Sequence, residues 1–176
     1  MFKEKIKEPE VIMSICAIFL SLLAVGVALF EANIARSQQK SSVWPYLEVL
    51  GSNINGTSWR VSNKGIGPAK IKDVKVTVNG APIRSWKQWL VSLDSDFAWP
   101  FTQSTLNGRV VSPGESIGFI KLNPKAIEKL KELIKGGVQI KYQICYCSVY
   151  QDCWVTQSID SQPVNSCKKS ETSFQH

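Results

Sequence analysis

Residues 11–30 (VIMSICAIFLSLLAVGVALF) are an apolar run with no charged side chain and no proline. A helix of that length rises about 30 Å, the thickness of a bilayer's hydrocarbon core, so the run reads as a transmembrane helix. The rival reading is a cleaved signal sequence, whose apolar stretch is ordinarily about 7 to 15 residues and leads into a small-residue cleavage site. This run is longer and no A-x-A site follows it. Lys3, Lys5 and Lys7 precede the run, while Arg36 and Lys40 follow at greater distance. That bias puts the N-terminus in the cytoplasm and the rest of the chain outside.

Within the run, Ser14, Ala17, Ser21, Ala24 and Ala28 are spaced to share one helix face. Small side chains let backbones approach closely in lipid, so this face is a candidate seam for a homo-oligomer. Glu31 continues it. Residues 31–43 are mostly polar and lack glycine and proline, which lets the helix continue as a stalk. The expected division is a short N-terminal segment (1–10), the span (11–30), a helical stalk or linker (31–43), a β domain (44–160) and a polar C-terminal tail (161–176).

In the β domain, alternation and turn residues mark the elements. Asn55-Gly56, Asn79-Gly80 and Asn107-Gly108 supply positive φ for tight turns. Residues 69–78 (AKIKDVKVTV) alternate, with a change of phase between Ile71 and Val74 that suggests a bulge. Residues 85–93 place Trp86, Trp89, Leu90 and Leu93 at helical spacing behind a Ser85 cap. A second helix is expected after Asn123-Pro124, with Ile127, Leu130, Leu133 and Ile134 apolar and Gly136-Gly137 as its stop. In residues 138–148, Val138, Ile140, Tyr142, Ile144 and Tyr146 alternate with Gln139, Lys141, Gln143, Cys145 and Cys147, which reads as a strand with one wet face. About seven short strands with two connecting helices point to an antiparallel β-sandwich of the immunoglobulin-like kind. A partly open barrel is the alternative, and the tail is expected to be ordered only where Cys167 ties it down.

Trp44-Pro45-Tyr46, Asn63-x-Gly65-x-Gly67-Pro68-Ala69, Ser112-Pro113-Gly114-Glu115 and the Tyr-x-x-Cys-Tyr-Cys-Ser to Cys-Trp hairpin carry a resemblance. Over most of its length the chain resembles a group of single-pass bacterial inner-membrane proteins with an immunoglobulin-like outer domain. The resemblance implies a periplasmic C-terminal domain and no particular activity.

Gly65-x-Gly67-Pro68 superficially suggests a phosphate loop. It lacks the third glycine of a dinucleotide fingerprint and the Gly-Lys-Ser/Thr of a P-loop, so it is expected to be a turn with glycines at unusual φ. The only histidine is His176, at the chain's end, which argues against Ser-His-Asp and Cys-His catalysis and against histidine metal sites. Cys145, Cys147, Cys153 and Cys167 allow three disulfide connectivities. Cys147 with Cys153, across a hairpin, is favoured, with Cys145 to Cys167 second. A four-thiolate zinc site is the alternative, but C-x-C-x5-C-x13-C lacks paired C-x2-C knuckles. Asp94 and Asp96, with Ser92 and Ser95, read as a solvated acidic loop.

Among six tryptophans, Trp44 reads as an interface anchor or stalk contact and Trp59 as core. Trp86, Trp89 and Trp99 are the candidates for an exposed interaction patch, with packing onto the sheet as the other reading. The net charge is +7, and residues 42–176 alone carry +6, spread over strands, helix and tail, so a solvated basic surface is expected and no nucleic-acid partner. No cofactor or metal is expected. The expected function is a non-catalytic envelope protein, held in the lipid bilayer, whose sandwich mediates interaction or assembly with an unidentified envelope protein. The alternative is a cytoplasm-facing ligand sensor controlling helix oligomerisation.

Overall fold

The computed structural model describes residues 9–52, 58–93, 101–135 and 139–175, with backbone alone at 52, 129–131 and 133–135. The Asn55-Gly56 turn, Asp94, Asp96, Trp99, Gly136-Gly137 and the side chains of Leu130, Leu133 and Ile134 therefore lie outside the described residues. The chain forms two units, Met1–Ser41 and Ser42–His176.

The first unit is one helix, α1 (Pro9–Ser41), and none of its described residues is buried. It is long and apolar enough to cross a membrane. Ser14 and Ser21 donate their hydroxyls to the carbonyls of Glu10 (2.8 Å) and Ala17 (2.7 Å), so both polar groups are satisfied inside the helix. Past residue 30 the helix continues for 11 residues, about 16 Å, as the stalk reading expects.

The second unit is built from β1 (Leu47–Ser52), β2 (Ser58–Asn63), β3 (Ala69–Val78), β4 (Ala81–Ile83), β5 (Phe101–Gln103), β6 (Val110–Val111), β7 (Ser116–Leu122), β8 (Ile140–Cys147), β9 (Cys153–Gln157) and β10 (Asp160–Val164). Helix α2 (Trp86–Leu93) lies between β4 and β5, and α3 (Pro124–Lys135) between β7 and β8. One sheet has the order β1-β2-β7-β5 and the other β10-β9-β8-β3-β4, with β6 also on β3. The described pairings are antiparallel, and the two sheets make a β-sandwich.

Alternation explains the core. Ile71, Val74, Val76, Ile144 and Tyr146 of one sheet are buried, as are Leu47, Val49, Val61, Ile117 and Leu122 of the other. The phase change in β3 is a bulge: Ile71 pairs with Tyr146 and Asp73 with Cys145, leaving Lys72 extra. A second bulge lets Phe119 and Ile120 both be buried, because β2 pairs Trp59 with Ile120 and Arg60 with Gly118. Ser85 caps α2, its hydroxyl accepting from Gln88 N at 3.2 Å, and Asn123 caps α3 by accepting from Ala126 N at 2.8 Å.

The Asn63 motif is a junction. The side chain of Asn63, wholly buried, accepts from Tyr46 N (3.2 Å) and Gly65 N (3.0 Å) and donates to Gly67 O (2.8 Å) and Val111 O (3.0 Å). Its backbone bonds to Glu115 O and Gly114 N, so both motifs meet at one residue. The expected reason for the glycines is corrected here. Neither Gly65 nor Gly67 has positive φ; a Cβ at Gly65 would collide with Trp44 O and Tyr46 N, and one at Gly67 with the Val43 carbonyl. Close backbone approach demands glycine, whereas the left-handed φ values among the described residues belong to Asn79 (50°), Gly80 (82°), Gly108 (78°), Gly114 (75°), Gln151 (66°) and Ser158 (81°).

The tail also departs from expectation. Residues 160–164 form β10, antiparallel to β9, and the chain beyond is fastened at two points. Cys167 is bonded to Cys145. Further on, Phe174 N donates to Val74 O (2.7 Å) on the edge of β3 between its β4 and β6 pairings, and Asn107 Nδ2 donates to Phe174 O. The Phe174 ring lies 5.5 Å from that of Trp86.

Candidate functional site

The four cysteines outside α1 meet where β8, β9 and the tail converge. β8 ends with Cys145 and Cys147 on the face opposite the core, and β9 begins with Cys153. The β8–β9 register pairs Cys147 directly with Cys153, and Ser148 N donates to Asp152 O at 2.8 Å one residue further on. Position 147/153 is thus a non-hydrogen-bonded pair, where strands approach most closely. Its Cα separation is 4.0 Å and its sulfurs are bonded. Cys145 and Cys167 form the other bond, with Cα atoms 5.6 Å apart. The favoured connectivity is the one present.

The bonds differ in exposure and lie against each other. Cys147 and Cys153 are 2% and 7% exposed, whereas Cys145 and Cys167 are half-buried. Cys167 Sγ rests over the β8–β9 ladder, 3.7 Å from Tyr146 O and 3.9 Å from Trp154 O. The sulfurs of Cys147, Cys153 and Cys167 lie within 4.8 Å of one another. Among the described residues, those three form the cluster able to hold a soft metal ion, but only as thiolates, and bonded sulfurs are not thiolates.

The strand face expected to be wet is largely covered. Gln143 and Cys145 are half-buried, and Asp73, the cross-strand partner of Cys145, is 3% exposed with Oδ1 lacking a hydrogen-bond partner.

The tryptophan patch does not form as an exposed surface. Trp86 is 1% and Trp89 9% exposed, because α2 turns both indoles inward. Trp86 is the hub of an aromatic cluster, with ring centres 5.8 Å from Trp89, 6.2 Å from Tyr142 and 6.3 Å from Trp59. Trp59, read from sequence as core, is only partly buried. It lines a groove of about 400 Å³ with Val49, Gly51, Lys141, Tyr142 and Gln157. Gly51 is the signal: a Cβ there would sit 3.2 Å from Trp59 Nε1, so its absence makes room for the indole.

Two tyrosines of β8 carry shifted phenols. Burial pushes Tyr142 far up, and its hydroxyl has no hydrogen-bond partner. Burial also raises Tyr146, opposed by its hydrogen bonds. Tyr146 Oη accepts from Leu47 N (3.2 Å) and donates to Ser161 Oγ (2.9 Å), which donates to Leu47 O (3.3 Å). This triangle ties β1 to β8 and β10 across the two sheets.

On α1, Ser14, Ala17, Ser21, Ala24 and Ala28 are all exposed, as is Cys16, the free cysteine among the described residues. In comparisons with known proteins, no family model matches the chain and no curated protein matches it.

Proposed function

We propose that this is a single-pass protein of the bacterial inner membrane, with α1 in the bilayer, the N-terminus in the cytoplasm and an immunoglobulin-like domain in the periplasm. Its work is interaction rather than catalysis: the domain engages another envelope protein, and copies associate through the small-residue face of α1. The observation that carries this reading is the bonding of both cysteine pairs, since such bonds persist in oxidising compartments and are reduced in the cytosol. The exposed apolar surface of α1 supports the bilayer as its solvent. Small residues on one face, with serine hydroxyls already satisfied, suit close helix packing.

The test is labelling of intact cells with a membrane-impermeant maleimide, with and without reduction, in a Cys16→Ser background. Labelling of intact cells only after reduction is expected. Labelling only after the cells are opened, without reductant, overturns the export reading. Site-specific photo-crosslinking around the Trp59 groove then tests interaction; absence of any adduct at Lys141 or Gln157 overturns the groove as the contact.

A further inference from the structure

We propose that the two disulfides form a single thiol–disulfide exchange centre, in which the half-exposed Cys145–Cys167 bond accepts electrons from a dithiol and Cys167 relays them to the buried Cys147–Cys153 bond. Two observations carry this. Cys145 and Cys167 are half-buried while Cys147 and Cys153 are almost fully buried, so an external thiol meets the outer pair first. Cys167 Sγ lies within 4.8 Å of both inner sulfurs, and Cys145 does not belong to that cluster.

The chemistry balances with one class of co-reactant, a dithiol reductant, either a small molecule or a protein. A thiolate of the dithiol attacks Cys145 Sγ, the Cys145–Cys167 bond breaks, and Cys167 leaves as thiolate. The second thiol of the dithiol, deprotonated, attacks its own sulfur in the mixed disulfide. The dithiol is oxidised by two electrons and Cys145 leaves as thiolate and takes up a proton. The Cys167 thiolate then attacks Cys147 or Cys153, forming a new bond to that sulfur and expelling its partner as a thiolate, which is protonated. One thiol now lies in the inner pair and one on Cys145, with the tail bonded to the hairpin through a different cysteine. Attack of Cys145, deprotonated, on Cys167 in that new bond re-forms Cys145–Cys167, expels the inner sulfur as a thiolate that is protonated, and leaves both reducing equivalents on the inner pair.

The inference is independent of the compartment and is tested on the purified full chain in detergent, again with Cys16→Ser. Cys145→Ser and Cys167→Ser delete the same outer bond, so both lose the same cross-link. They differ in which thiol remains. After acid quenching, alkylation and proteolysis, disulfide-linked peptides are mapped by mass spectrometry. The expected result is Cys167 linked to Cys147 or Cys153 in Cys145→Ser, at a level about tenfold or more above any linkage of Cys145 to those residues in Cys167→Ser. An intact Cys147–Cys153 bond with the free thiol wholly on Cys167 overturns the proposal. Equal rearrangement in the two variants also overturns it, because unfolding rather than position would then be the cause.

Discussion

Leu20 and Leu29 of α1 each leave 64% of their surface uncovered, whereas Leu47 and Ile71 in the sandwich leave none. The side chains are chemically alike, so the difference lies in what the chain offers them. Each sheet presents one apolar face and finds the other sheet, with α2 closing over it through Trp86. Helix α1 is apolar around its circumference and finds no partner within its own unit. One region is a self-sufficient core and the other is a request for a different solvent.

Four substitutions and one condition break or sharpen that contrast. Trp86→Ala removes the hub of the aromatic cluster and is expected to cost about 3–5 kcal/mol of domain stability, read from urea unfolding, with membrane association unaltered. Leu22→Arg does the reverse. It disfavours insertion of α1 by about 3 kcal/mol, seen as protein released by alkaline extraction of membranes, while the domain's melting temperature stays unchanged. Asn63→Ala orphans two backbone amides and two carbonyls at the junction, for an expected loss of about 2–3 kcal/mol in the same urea experiment. A smaller effect comes from alkali. Because burial raises Tyr142 and Tyr146 above the usual 10, the folded state keeps protons that the unfolded chain releases. Stability is therefore complete below about pH 10 and falls above it. Tyr142→Phe, which removes a buried hydroxyl without a partner, is expected to cost nothing at neutral pH and to make the alkaline decline shallower.

What was legible in the sequence was whatever repeats or signals locally. The Asn79-Gly80 turn, the bulge in β3, both helix caps and the pairing of Cys147 with Cys153 follow from short-range patterns that mean the same thing in any chain. The sites where reading failed depend on distant backbone. Gly65 and Gly67 look like turn glycines, and only the path of residues 43–46 shows that they clear space for the backbone that leads into β1. Trp86 and Trp89 stand at helical spacing either way, and which side of α2 meets the sheet decides burial. Phe174 is one aromatic in a polar tail, without periodicity to announce that it docks beside Trp86. The outer face of β8 alternates as a solvated strand should, and the tail that crosses it is set by Cys167, some twenty residues away in sequence. The sulfur cluster itself was half legible: the pairs were, but their adjacency was not.

The rigid reach of α1 beyond its apolar run has a consequence for encounters. A flexible linker spreads a tethered domain over a volume that grows with its length, diluting it near any one target. Here the 11 residues past the run are helical, a span of about 16 Å whose length does not fluctuate as a coil's does. A helical spacer of that kind holds its two ends at a set distance, so what it carries is diluted less than on a coil of equal length.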